Sequence, residues 1–255
     1  MNIASVSCGN DSVAMIQYLH AIGTKDVVCV YSNTGWAAPD WEERVEKFKN
    51  WVESLGYKFQ EIQGVYNFHS ICVHKKFIAH KFARFCTQWL KQIPFLEYLD
   101  AIDQNCEATI YLGLRREESK RRANIELKIE NSEHMGGRTQ MHPLYLHTKK
   151  ERDKLIKETP LTLLQHRSRE CFPCIFASAR DLRDLSEDLV SINKVKSLEE
   201  EVSRHIGQQA CFFNPSQFAD AIGIDEVVKV VKHGRKQFRL EQAGQEKFCE
   251  SGFCG

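Results

Sequence analysis

Residues Ile3 to Leu19, IASVSCGNDSVAMIQYL, constrain the chain more than any other stretch. Four residues of β character (Ile3, Ala4, Ser5, Val6) run into a small polar turn, Ser7-Cys8-Gly9-Asn10. Asp11, Ser12 and a helical pattern with Val13, Ile16 and Leu19 on one face follow. The reading is strand, loop, helix. Such a turn aims the first, unbonded N–H groups of the helix at the loop, where the helix dipole also favours negative charge. Phosphate is the natural occupant, while an ordinary strand–turn–helix with an Asp/Ser cap is the plainer account of the same residues. No G-x-x-x-x-G-K-[ST] pattern occurs, which disfavours the ordinary γ-phosphate hydrolases.

The next elements repeat the alternation. Val27 to Tyr31 reads as a second apolar strand ending in Ser32, Asn33, Thr34 and Gly35. Asp40 to Leu55 places Trp41, Val45, Phe48, Val52 and Leu55 on one helical face, and Tyr57 to Ile62 offers a third strand. A β-α-β-α-β start calls for an α/β fold, a parallel sheet flanked by helices of Rossmann-like kind. Ligands in such sheets bind beyond the carboxyl ends of the strands, so the Ser7–Ser12 and Asn33–Gly35 loops should lie side by side. The 255 residues allow one large domain or one domain with an appendage, and 42% hydrophobic with 27% charged residues suits an ordinary core. No run of about 18 apolar residues occurs and no signal-peptide pattern opens the chain, so a cytoplasmic location and no membrane partner are expected. Ten cysteines in such a protein point to metal or redox chemistry.

The net charge of +1 hides an uneven distribution. From Ile62 to Leu96 there is no Asp or Glu, while Lys75, Lys76, Lys81, Arg84 and Lys91 alternate with Tyr66, Phe68, Phe77, Phe82, Phe85 and Trp89. Bases beside rings suit a polyanion with stackable bases; aromatics in a core under one solvated lysine face is the other reading. Pro94 marks a helix start running to about Asp103. A fourth strand, Ala108 to Leu112, leads into Gly113-Leu114-Arg115-Arg116-Glu117-Glu118-Ser119-Lys120-Arg121-Arg122. At the same edge as the first loop these arginines would supply planar, permanent cations for phosphate, unless the run is a helix surface of i,i+4 ion pairs.

Four motifs in order carry a resemblance. The Ser7-Cys8-Gly9-Asn10-Asp11-Ser12 loop is similar to the S-G-G-K-D-S pyrophosphate loop, with Cys8 for a glycine and Asn10 for the lysine. Cys86-Thr87 with Lys91 and Pro94 comes next, then Gly113-x-Arg115-x-x-Glu118-Ser119-x-x-Arg122, then Met141-His142-Pro143-Leu144. In this register the chain resembles the phosphoadenosine phosphosulfate reductase family of pyrophosphate-loop proteins from Ile3 to about Pro160. The resemblance implies an adenine nucleotide α-hydrolase-like fold that binds ATP or an adenylyl sulfate. It places Ser5, Ser7, Cys8, Gly9, Asn10, Asp11, Ser12, Asn33, Thr34, Gly35, Gly113 and Ser119 around the nucleotide and its Mg2+, with Asp11, Arg115, Glu118, Arg122 and Cys86 as the catalytic set. Residues 1–160 would form this nucleotide-binding domain, and 161–255 a mainly helical, cysteine-bearing part.

His147 to Pro160 reads as a helix ending before the proline, and that part then carries Cys171-Phe172-Pro173-Cys174 and a helix from about Ile175. With Cys249 and Cys254 of the tail, Cys171 and Cys174 make four thiolates, enough for tetrahedral Zn2+ or a cubane cluster. A sulfur-handling family favours the [4Fe–4S] cluster, with Zn2+ as the alternative and Cys211 as a reserve ligand. Cys29, Cys72 and Cys106 read as structural. Phe212 to Val231 looks helical, and Lys229, Lys232, Arg235, Lys236 and Arg239 form a second basic stretch.

Within the family, the four-cysteine set is most similar to the ATP-pyrophosphatase component of bacterial DNA phosphorothioation systems. Cluster-bearing adenylyl-sulfate reductases carry an adjacent Cys-Cys pair, which is absent here, and thioredoxin-dependent reductases end in Glu-Cys-Gly where this chain has Phe253-Cys254-Gly255. The resemblance implies adenylation of a DNA phosphate for sulfur incorporation, with DNA, a cysteine desulfurase and further subunits of a modification complex as partners. Sulfonucleotide reduction is the first alternative, and a Zn-stabilised nucleic-acid-binding module without catalysis the second.

Overall fold

The structure is a computed structural model in which residues 1–120 and 122–234 are described. In chain order they form β1 (Asn2–Val6), α1 (Asn10–Ala21), β2 (Val27–Ser32), α2 (Trp41–Ser54), β3 (Lys58–Ile62), α3 (Phe68–Lys75) and the single turn α4 (Phe85–Thr87). Then come α5 (Ile93–Ile102), β4 (Thr109–Leu112), β5 (Lys128–Ser132), β6 (Arg138–Met141), α6 (Lys149–Lys157), α7 (Ala179–Ser186), α8 (Leu189–Ile206) and α9 (Gly223–His233). They make two compact units that interleave in sequence.

The first unit, Met1–Thr34, Asp40–Gly64 and Leu90–Glu170, is built on a six-stranded sheet of order β3-β2-β1-β4-β6-β5. Five strands are parallel and β5 alone runs antiparallel, as an edge hairpin with β6. β1 is central because its residues are small or apolar on both faces. Ile3 packs with Val30, Ile110 and Ala108 against Phe95 and Leu99 of α5. The inward stripe of α1, Val13, Ile16 and Leu19, is buried completely or nearly so. The pairing Asn2↔Thr109 through Ser5↔Leu112 brings the ends of β1 and β4 together, so the two loops that follow them share one edge. Arg138 of β6, with no exposed surface, ties that strand to the end of α5. Its Nε donates to Asp103 Oδ2 at 2.7 Å and its Nη1 to Asp100 Oδ1 at 3.1 Å. No helix among the described residues is long and apolar enough to cross a membrane.

The second unit takes Gly35–Pro39, Val65–Trp89 and 171–234. Trp36 is its centre, 1% exposed, with its ring 4.8 Å from Phe68 and 6.3 Å from Phe212. Gly35 holds φ at +60°, and a Cβ there would lie 2.6 Å from Cβ of Asn67, so packing accounts for this glycine. Three expectations are corrected. The helix after Cys174 starts at Ala179, where Ser178 and Asp181 form a capping box, rather than at Ile175. Phe212 to Val231 is not one helix: a turn at Pro215–Phe218 and the left-handed Ala219 and Asp220 precede α9. Cys106 is exposed rather than structural.

Glu199 of α8 is 4% exposed and accepts the backbone N–H groups of Phe212 and Ile224, each at 2.8 Å. Burial pushes its carboxyl up from 4.5 to about 7 against the pull of those bonds. Because the folded value is the raised one, its stabilising contribution is present below 4.5 and is lost as pH rises through about 7. The melting temperature should therefore fall from pH 5 to pH 8, by the equivalent of about 3 kcal/mol at most. Glu199→Gln should flatten that slope, and an unchanged slope would refute the assignment.

Candidate functional site

At the carboxyl end of β1 the chain turns through Cys8, which holds φ at +57°. This left-handed conformation is the reason a glycine suits the position. Cys8 has no exposed surface, and burial first, then the charge of Glu170, hold its thiol well above the ordinary range. Its carbonyl accepts Nε of Arg44 at 3.2 Å, while Nη1 of Arg44 reaches the Thr162 carbonyl at 2.9 Å. Ser12 closes the loop from the helix side, its Oγ accepting the Ser7 N–H at 2.8 Å.

Asp11, in the first turn of α1, is gripped from two sides. Arg115 donates from Nε to Oδ1 at 2.6 Å, and Arg152 of α6 from Nη1 to Oδ2 at 3.5 Å. Arg115 is 6% and Arg152 8% exposed. Burial alone would lower Arg115, yet the carboxylates of Asp11, Glu118 and Glu117 hold it above its ordinary value. Glu118 in turn accepts the Arg115 N–H at 3.0 Å and is paired with Arg122. Gly113 permits this approach, since a Cβ there would lie 3.1 Å from the Asp11 carbonyl. The 113–122 run is therefore a loop with single helical turns rather than a helix face.

Asn10, where the resemblance expects lysine, makes two bonds to the backbone of one residue: Nδ2 to the Leu164 carbonyl at 2.8 Å and Oδ1 from the Leu164 N–H at 3.0 Å. It fastens the 163–168 segment over the loop, and Ser168 Oγ completes the attachment by donating to the Ser7 carbonyl at 3.2 Å. Two cavities result. One of about 380 Å3 is lined by Ser7, Gly9, Asn10, Asp11, Arg115 and Arg152 among others. The other, about 390 Å3, reaches from Ser5, Ser12, Ser32 and Gly113 to Arg122 and Glu170, with Phe95 and Leu96 giving it an apolar wall. Charged groups and N–H donors at one end and apolar surface at the other suit a phosphorylated molecule with a flat apolar part.

The structure thus brings together Ser5, Ser7, Gly9, Asn10, Asp11, Ser12, Gly113, Arg115, Glu118 and Arg122. Cys8 lies beneath the loop. Ser119 is exposed, its Oγ accepting the Arg122 N–H at 3.2 Å. Asn33 turns to Glu61 Oε1 at 2.7 Å and Thr34 to the Glu170 carbonyl at 2.6 Å, and neither lines the cavities. Gly35, Cys86, Cys171 and Cys174 belong to the second unit, Cys86 buried and the C-x-x-C pair half-buried. There Cys174 Sγ accepts the Phe176 N–H at 3.5 Å. Cys249 and Cys254 lie outside the described residues, as do Arg235, Lys236 and Arg239. Sequence reasoning missed Arg44 and Arg152. Both sit on the apolar stripe of their helix, Arg44 four residues before Phe48 and Arg152 four before Ile156. A charge on that stripe was the signal available.

Residues 1–171 match the family model of the phosphoadenosine phosphosulfate reductase domain. Among solved structures, the chain is similar to the phosphate complex of phosphoadenylyl-sulfate (PAPS) reductase from Candida auris. The two are 13% identical, with a TM-score of 0.43 over 62% of this chain and 71% of that one. No curated protein matches. Asn10→Ala removes both bonds to Leu164 and should destabilise the first unit by about 1–3 kcal/mol. It should also abolish the hydrogen-exchange protection of the Leu164 amide, and retained protection would show that Asn10 does not hold the segment.

Proposed function

This chain belongs to the phosphoadenosine phosphosulfate reductase domain family, and from that premise we propose that it is an ATP pyrophosphatase that activates a DNA backbone phosphate for sulfur incorporation. The observation that carries the reading is the carboxylate–arginine cluster at the loop, Asp11 between Arg115 and Arg152. The family is enzymatic, and the cluster fits chemistry at a phosphate. A phosphate oxygen of DNA attacks the α-phosphorus of ATP, pyrophosphate leaves onto the N–H groups of the Ser7–Ser12 loop, and sulfide, freed from a cysteine desulfurase persulfide by a thiol reductant, then attacks the DNA phosphorus and displaces AMP. Arg115, Arg152 and Arg122 neutralise charge that builds on the transferred and departing phosphates, the largest contribution expected of a fixed site. Asn10 contributes rigidity where a lysine would contribute charge.

Mg2+ commonly takes one or two carboxylates together with phosphate oxygens, and Asp11 and Glu118 on the cavity wall meet that requirement. For an iron–sulfur cluster, the described half of the donor set fits. Cys171 and Cys174 are spaced C-x-x-C, an N–H points at one sulfur, and the half-buried Lys194, pushed down to about 8 by desolvation, feels the opposing charge of Cys171. Cys171, Cys174, Cys249 and Cys254 would hold such a group, which supplies electron or sulfur relay when bound. Zn2+ fits the same donors.

Incubation of the protein with ATP, a DNA oligonucleotide and a sulfide donor should release AMP and pyrophosphate. Arg115→Ala should slow release at least about a hundredfold and Arg152→Ala by a comparable factor. Release of ADP and phosphate, or sulfite formed from phosphoadenylyl sulfate and a thiol without ATP, would overturn the reading in favour of another nucleotide chemistry.

A further inference from the structure

The second unit carries an exposed aromatic and cationic face that the nucleotide site does not use. Phe82 is 84% exposed, Phe77 40% and Phe176 44%. Leaving rings of this size in water is unfavourable unless a partner covers them. A cation stands beside several rings: Lys81 Nζ 4.9 Å from the Phe82 centroid, the Arg84 guanidinium 5.9 Å from Phe176, and Lys75 Nζ 5.2 Å from Trp89. Phe77 and Phe82 also flank His80, at 5.2 and 6.1 Å.

Behind these rings lies a cavity of about 260 Å3, walled by Phe77, Phe82, Phe212 and Phe213 and edged by His80 and Lys81, with no carboxylate among the described residues that line it. Nor does any Asp or Glu occur between Ile62 and Leu96. A partner for such a face must present negative charge and flat apolar groups in alternation. An anionic lipid surface answers the charge but calls for a protruding amphipathic face, whereas a ring-walled hollow receives a planar group from the side. Duplex DNA offers phosphates but keeps its bases stacked and out of reach. A single strand offers both, because each unpaired base has a π-face and each link a phosphate.

We propose that this face binds single-stranded DNA, one base stacking on Phe82 and another entering the aromatic cavity while Lys75, Lys81 and Arg84 meet the phosphates. The choice of DNA rests on the function proposed above; the affinity for a flexible strand of bases does not. Unpaired nucleotides would then be held by a surface separate from the loop where ATP is activated, which makes a locally opened duplex the substrate form.

The test is fluorescence anisotropy on the full chain with a labelled oligothymidine of about 12 nucleotides. An abasic strand of the same length, the duplex, and phosphatidylserine vesicles serve as competitors. The oligothymidine should bind at least about tenfold more tightly than the abasic strand or the duplex, and vesicles should not displace it. Phe82→Ala, at a position too exposed to unsettle the fold, should weaken binding by about tenfold with an unchanged circular dichroism spectrum. Lys81→Glu should reduce the slope of log affinity against log salt. Equal affinity for the abasic strand, displacement by vesicles, or wild-type affinity in Phe82→Ala would each overturn the proposal. So would a change of sedimentation in Phe82→Ala with strand binding intact, which would make the face a contact between copies. AMP formation measured on the same samples separates the two claims. Strand binding without AMP formation counts against the function alone, and AMP formation without strand binding against this surface alone.

Discussion

One ion-pair cluster organises the first unit: the Asp11 carboxylate between the guanidinium groups of Arg115 and Arg152. Each arginine is nearly buried, and a buried cation without a counter-charge costs several kcal/mol. Asp11 supplies that counter-charge from the first turn of α1, where the helix dipole also favours a carboxylate. Three elements distant in sequence, α1, the loop after β4 and α6, are held to one point by one side chain. Its loss would leave Arg115 to Glu117 and Arg152 to Asp153 with the link between the two gone, so Asp11 is structural before it is anything else.

The same cluster limits how the site handles an anion. Arg115, Arg152 and Arg122 stand against Asp11, Glu117, Glu118 and Asp153, and these charges already bond to one another, while Glu117 also accepts the Lys149 backbone N–H. A polyphosphate bound there as proposed would not enter a bare cationic hole. It would compete with Glu117 and Glu118 for guanidinium groups whose positions those carboxylates set. A lysine at position 10 would add one mobile charge to this balance; asparagine instead fastens the Leu164 segment by two bonds. Affinity is exchanged for geometry, and the cations that matter come from β4 and α6.

The strand–loop–helix start, the first three strands and the strand leading to Gly113 were all legible in the sequence, because each is a local pattern of apolar residues closed by turn chemistry. β5 and β6 were not. Lys128–Ser132 and Arg138–Met141 are polar in composition, and they pair because Arg138 finds Asp103 and Asp100, a contact between residues some 35 apart. The 18 residues of α8 were passed over because its charged outer face hides the stripe Ile192, Val195, Leu198 and Val202. In the candidate site, Arg115 followed from its motif. Arg152 and Arg44 come from apolar stripes, and a charge is recognised as functional there only when its partner is known to be buried beside it. The interleaving of the two units was likewise illegible, since it depends on which segments pack together and not on any local pattern.

Cysteine chemistry in this chain divides along burial. A thiol attacks or ligates as the thiolate, and burial in apolar surroundings raises the cost of that charge. Cys8 and Cys29 are pushed well above the ordinary range by desolvation, and Cys72 up to about 12, so none of the three carries thiolate near neutral pH. For Cys8 this has a particular consequence. It stands in the Ser7–Ser12 loop itself, yet it is sealed under that loop and held there by Arg44 through its carbonyl. Under the proposed function, sulfur would then have to come from a thiol outside the loop. Cys171 and Cys174 differ from the buried set in two respects: they are only half-buried, and one of them receives a backbone N–H. Burial silences Cys8 as a nucleophile, so under the proposed function the sulfur chemistry would belong to half-buried thiols such as Cys171 and Cys174.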